Sequence, residues 1–74
     1  MEVDVELFGQ LLPGTQRRQT LVIERPLSVS EIATCLGLDP TEIGLITINS
    51  VQSELEDLVP SGSRLCFFPP MSGG

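Results

Sequence analysis

The sequence predicts an α+β roll, a mixed sheet of four to five strands packed on one helix. Three observations carry that reading. The chain opens on apolar/polar alternation in "VDVELFG". The middle, "SVSEIATCLG", changes to helical spacing behind a capping residue. "LITIN" and "RLCFF" then return to alternation, and the second of these stops at two prolines.

Each element has its own warrant. In "VDVELFG", Val3, Val5 and Leu7 share one face while Asp4, Glu6 and Phe8 share the other, a half-buried strand ended by Gly9. Pro13-Gly14 marks a turn. "QTLVIE" follows as a second strand with Leu21 and Ile23 inward and Val22 outward, and the short connection makes a hairpin the simplest pairing. Ser28 with Glu31 three residues on forms a capping box. Val29, Ile32, Ala33 and Leu36 then fall on one helical face, with Cys35 on its flank and Gly37 placed for a left-handed C-terminal cap.

Asp39-Pro40 breaks the helix, and "TEIG" forms one short turn. In "LITIN", Ile46 and Ile48 point inward, Leu45 and Thr47 outward. "SELED" is read as a brief edge strand anchored by Leu55, and "VPSGS" as a turn. In "RLCFF", Leu65 and Phe67 share one face, Cys66 and Phe68 the other. With the first and last strands paired at the centre, Val3, Val5, Leu7, Ile46, Ile48, Leu65 and Phe67 face Val29, Ile32 and Leu36. Residues 1–70 are read as a single domain and 71–74 as a flexible tail.

Composition narrows the function. A chain of 74 residues buries only about 60% of its unfolded surface, leaving little room for a deep substrate cavity. The formal charge is −6, set by ten Asp/Glu against four Arg. Nucleic-acid binding draws on cationic contacts to phosphate, so this balance argues against it. An acidic surface fits a basic protein partner, and it also simply keeps a small protein in solution.

The absence of His removes the usual general base and the commonest metal ligand. Lysine is absent too, so an activated C-terminus finds no side-chain amine on its own chain. Cys35 and Cys66 are too few and too widely spaced for a zinc site, and they read as small buried or half-buried hydrophobes. The acidic "MEVDVE" start has no signal-peptide character, and no apolar stretch reaches the ~20 residues a bilayer span needs. The expected location is cytoplasmic, with no membrane partner.

The end of the chain, "FFPPMSGG", carries the sharpest signal. Pro69 and Pro70 cannot donate to a ladder, so pairing stops there, and two prolines favour a stiff segment leaving the body. Met71, Ser72, Gly73 and Gly74 extend about 13–14 Å beyond them. Glycine at the last two positions lets backbone enter a narrow channel and leaves the terminal carbonyl open to attack. Phe68, with Leu45 and Thr47, is expected to form an apolar patch beside the root of this tail.

"LCFFPPMSGG" resembles the C-terminal signature of the small subunit of molybdopterin synthase, within the β-grasp (ubiquitin-like) sulfur carriers. The order strand, strand, helix, strand, short strand, strand extends the likeness over the chain, although the specific motif lies in the last eight residues. Two turns depart from the pattern: Asn49-Ser50 and Gly62-Ser63 stand where such carriers often have Asn-Gly and Gly-Asp.

The resemblance implies that an adenylating enzyme uses ATP to activate Gly74 and that a sulfur donor converts it to a thiocarboxylate. Met71, Ser72 and Gly73 would thread the tail into the large synthase subunit, with Phe68, Pro69, Pro70, Leu45 and Thr47 at the docking surface. Sulfur would pass to a pterin precursor of the molybdenum or tungsten cofactor. The chain itself would hold no metal or cofactor and act as a protein co-substrate. A carrier serving thiazole synthase in thiamine formation, or a ubiquitin-like modifier joined through Gly74, uses the same tail chemistry and stays open here.

Overall fold

The computed structural model describes residues 1–71. In chain order the strands are β1 (Glu2–Leu7), β2 (Arg18–Val22), β3 (Leu27–Ser28), β4 (Leu45–Ile48), β5 (Val51–Gln52), β6 (Leu58–Val59) and β7 (Arg64–Phe68). Helix α1 spans Val29–Leu36, and a single 3₁₀ turn lies at Pro40–Glu42. Five strands form one sheet in the order β2-β1-β7-β4-β5, while β3 and β6 pair separately. β1 and β7 run parallel, and every other pairing is antiparallel. The mixed sheet on one helix agrees with the fold class read from the sequence, including the central pairing of the first and last strands.

Alternation decides which face is buried. Val3, Val5 and Leu7 from β1 and Leu65 and Phe67 from β7 lie against Val29, Ile32 and Ala33 of the helix. Phe67 is 0% exposed and is the largest fully buried side chain. Leu21, Leu36 and Ile48, all predicted inward, are partly buried and pack against this cluster.

The helix is bounded as its sequence requires. Ser28 Oγ accepts from the Glu31 N–H, and the Glu31 carboxylate accepts from the Ser28 N–H, so two of the unpaired first-turn donors are satisfied. Gly37 closes the helix at φ 85°, and the N–H groups of Gly37 and Leu38 donate back to the Thr34 and Ala33 carbonyls.

The stretch between β4 and β7 differs from expectation. "SELED" is a loop, not an edge strand; the two short strands lie on either side of it, at Val51–Gln52 and Leu58–Val59. Its backbone is directed elsewhere: the Leu55 and Asp57 carbonyls accept from Ser30 and Val29 N–H, tying the loop to the start of the helix. Asp57 closes the loop by accepting from Ser53 Oγ at 2.6 Å and Glu54 N–H at 2.9 Å. Leu55 does anchor against the core.

Three residues assigned to turns or connections are also core members: Leu11, Leu38 and Val59. Leu11 belongs to a loop that the Arg17 guanidinium holds together by donating to the Gly9, Leu11, Leu12 and Thr15 carbonyls. Cys66 is buried as expected, but Cys35 is exposed because its place on the flank of the helix faces solvent. Among the described residues, no helix is long and apolar enough to cross a membrane.

Candidate functional site

The root of the tail is built where the central strand ends. β7 lies between β1 and β4, and its last carbonyls are taken from both sides. The Phe8 N–H donates to the Phe67 carbonyl at 3.0 Å, and the Gly44 N–H to the Phe68 carbonyl at 2.8 Å. Pro69 and Pro70 then supply no donors, so the ladder stops at Phe68.

Because side chains alternate along the strand, Phe67 enters the core and Phe68 emerges on the opposite face. On that outer face Leu45 is the cross-strand partner of Phe68, and Thr47 that of Cys66. Leu45 is 39% exposed; Thr47 and Phe68 are half-buried. The structure thus places Phe68, Leu45 and Thr47 together beside Pro69, which is half-buried, and Pro70, which is exposed. Met71, 93% exposed, is the last described residue. The predicted roles of Ser72, Gly73 and Gly74 lie outside the described residues.

Three residues at this site were not singled out from the sequence. Phe8 stacks on Phe68 with ring centroids 4.4 Å apart and planes 11° from parallel. This contact explains why Phe68 is half-buried instead of fully exposed. The available signal was the outward position of Phe8 on an alternating strand; its partner follows only once β1 and β7 are known to run parallel.

The other two are glycines that flank the proline pair. A Cβ on Gly9 would lie 2.6 Å from Pro69 Cγ, and a Cβ on Gly44 would lie 2.4 Å from Pro70 Cα and 2.6 Å from the Pro69 carbonyl oxygen. Both positions therefore hold backbone against the tail root where no other residue fits.

Away from the root, the outer sheet face becomes polar. An open groove of about 250 Å³ is lined by Asp4, Glu6, Arg18, Thr20 and Arg64 among others. Thr20 donates to Asp4 at 2.9 Å, and Arg18 pairs with Glu6 at 3.4 Å. A second depression of about 160 Å³, lined by residues including Ile43, Gly44, Leu45 and Leu55, adjoins the root. Among the described residues, no group of three His, Cys, Asp or Glu side chains is placed to hold a metal ion.

Three carboxyls sit below the usual carboxylate range, each through local hydrogen bonds to the ionised form. Asp57 is lowered first by the Ser53 hydroxyl and then by the Glu54 N–H. Asp39 is lowered by the Thr41 N–H and hydroxyl, and Glu31 by the Ser28 N–H and by Arg25. All three are structural caps or turn closures distant in role from the tail.

No protein-family model matches the sequence, and a search of curated proteins finds no match. Solved structures do match over full length. The fold is similar to SAMP1 from Haloferax volcanii, at 22% identity and a TM-score of 0.76, with both chains covered completely. It is similar also to a chain from the complex of subunits 1 and 2 of molybdopterin-converting factor from Helicobacter pylori 26695. That likeness has 19% identity and a TM-score of 0.63, again over all of both chains. With its helix held across a sheet whose first and last strands run parallel at the centre, the chain has the β-grasp, or ubiquitin-like, fold.

Proposed function

We propose that this chain is a sulfur carrier of the molybdopterin-synthase type, a protein co-substrate whose reacting group is the Gly74 carboxylate. The observation that carries the reading is the tail root. The central strand delivers Phe68 onto an apolar face, and the chain leaves that face through a braced proline pair toward the Met-Ser-Gly-Gly end. The full-length likeness to a chain of a molybdopterin-converting factor complex supports the same branch and a synthase subunit as partner.

In this cycle a carboxylate oxygen of Gly74 attacks the α-phosphorus of ATP on the activating enzyme, and pyrophosphate leaves. Hydrosulfide released by the donor then attacks the acyl carbon, and AMP departs with one of the original carboxylate oxygens, leaving a thiocarboxylate and a proton. This chain contributes no acid, base or metal to those steps. It presents the carboxylate on a slender backbone and docks through Phe68, Leu45 and Pro69, and its net charge of −6 favours partners with basic surfaces. In the large synthase subunit the sulfur passes to a pterin precursor.

The test is intact-mass spectrometry of the protein co-expressed with an activating enzyme and a sulfur source. The expected product has one oxygen exchanged for sulfur, and a variant lacking Gly73 and Gly74 gains nothing. Absence of the exchange under conditions that load a known carrier overturns the proposal. Adducts to lysines of other proteins, without exchange, would identify a ubiquitin-like modifier instead.

A further inference from the structure

We propose that Gly9 and Gly44 form a clamp that sets the direction in which the chain leaves the fold, making them positioning residues for the tail chemistry. The inference rests on the sulfur-carrier reading and extends it to two residues remote from the terminus in sequence.

The two glycines act on different atoms. Gly44 meets backbone: an added Cβ would fall 2.4 Å from Pro70 Cα and 2.7 Å from Pro70 N. Such separations are essentially never seen, and the atoms met belong to a main chain that cannot rotate aside. Gly44 also donates to the Phe68 carbonyl at 2.8 Å, one residue before the pair. The same residue thus ends the ladder and supports the segment that follows.

Gly9 meets the ring: an added Cβ would fall 2.6 Å from Pro69 Cγ and 3.1 Å from Cδ. Gly9 adjoins Phe8, whose own N–H holds the Phe67 carbonyl. Pro69 therefore sits between the ends of both neighbouring strands. Ring closure already fixes the φ of each proline; contact on two sides fixes the placement of the pair on the body.

A rigid root matters because an extended tail magnifies any angular error at its base. A misplacement of ~1 Å at a reacting centre costs about 100-fold in rate. Gly44 offers a clean perturbation, since its backbone is not in the left-handed region. Alanine there introduces one methyl group against Pro70 and no conformational demand of its own. Gly9, at φ 64°, carries both demands and is less diagnostic.

The experiment compares the wild type, Gly44→Ala, Pro69→Ala, and Gly44→Ala combined with Pro70→Gly. Each is assayed for thermal midpoint, affinity for the activating enzyme, and the rate of thiocarboxylate formation by mass spectrometry. The proposal expects Gly44→Ala to lower the loading rate at saturating enzyme by roughly 10- to 100-fold, a larger effect than on affinity, because Phe68 and Leu45 of the docking face stay in place and only the Pro69 contact shifts. Pro69→Ala, which empties the space over Gly9 while leaving both glycines in place, is expected to lower the rate in the same sense.

In the combined variant the main-chain atoms remain, but glycine at position 70 frees the φ that the proline ring had fixed, so the backbone can move off the added methyl; the thermal midpoint recovers while loading stays slow. A purely structural role for Gly44 would instead restore both. Wild-type loading of Gly44→Ala, or loading restored in the combined variant, overturns the clamp. Should Gly44→Ala fail to fold, Pro69→Ala and the combined variant decide the matter.

Failure of the wild type to load overturns the sulfur-carrier reading instead. The clamp is then decided by NMR cross-peaks between the Gly44 and Pro70 α-protons, expected in the wild type. Their absence there overturns it.

Discussion

The Phe8–Phe68 stack yields a prediction that separates packing from recognition. Both rings are half-buried, lie on the outer sheet face and are 4.4 Å apart. Truncating a fully buried Phe to Ala costs 3–5 kcal/mol, so each half-buried ring is worth about 1.5–2.5 kcal/mol. Stacked aromatic pairs contribute a further ~0.5–1.5 kcal/mol that disappears when either ring is removed. The double variant should therefore lose less than the sum of the single losses, by about that coupling. Urea denaturation of the wild type, Phe8→Ala, Phe68→Ala and the pair closes the cycle, and each kcal/mol corresponds to roughly 4–8 °C in Tm for a domain of this size.

The same cycle has a binding arm. Phe68 belongs to the proposed docking surface, whereas Phe8 supports it. Phe8→Ala should weaken partner affinity by about the coupling energy, which is roughly two- to tenfold, and Phe68→Ala by more. Losses that add within about 0.3–0.5 kcal/mol would show that the rings do not support one another, and the account of Phe68 as a preset contact would fall.

Two further outcomes follow from the turns and the carboxyls. Asn49 and Ser50 both have positive φ, 51° and 70°, as a two-residue type I′ hairpin turn between β4 and β5 requires. For Ser50 this conformation costs about 1–2 kcal/mol, against a backbone-entropy penalty for glycine of roughly 0.5–1 kcal/mol, so Ser50→Gly should stabilise the fold by about 0.5–1 kcal/mol in urea melts. Asp57, Asp39 and Glu31 have folded-state pKa values below their unfolded ones. Their stabilising contribution is present above the ordinary carboxylate range and is lost as pH falls through the lowered values; urea midpoints should drop on acidification below about pH 4, and Asp57→Asn should flatten that acid limb.

What the sequence disclosed and what it withheld have a common physical cause. Alternation and helical spacing are local, so the inward set on β1, β4 and β7 and the capping box at Ser28 could be read directly. Val59 could not, because a two-residue strand has no period and "VPSGS" has turn composition; its burial comes from pairing with Leu27. Leu11 is drawn into the core by a loop whose carbonyls are held by Arg17, a contact with no sequence signature. The site divides in the same way. The alternating strand predicted the separation of Phe67 from Phe68, but the clamp joins residues 9, 44 and 69–70, which meet only after three strands have been placed side by side.

That dependence links the proposed function to strand register more tightly than the tail motif implies. Fold and proposed docking use successive residues at the end of β7: Phe67 fills the core, Phe68 faces outward, and Pro69, just past the strand, packs against Gly9. A one-residue slip of β7 would exchange the two faces, exposing the largest buried side chain and burying the Phe68 ring. The register is held where that slip would matter most, by Phe8 N–H on the Phe67 carbonyl and Gly44 N–H on the Phe68 carbonyl. Both donors lie next to, or are themselves, residues that brace Pro69. The interactions that end the sheet thus also place the tail root, so a change that loosens strand termination should misdirect the tail before it unfolds the domain.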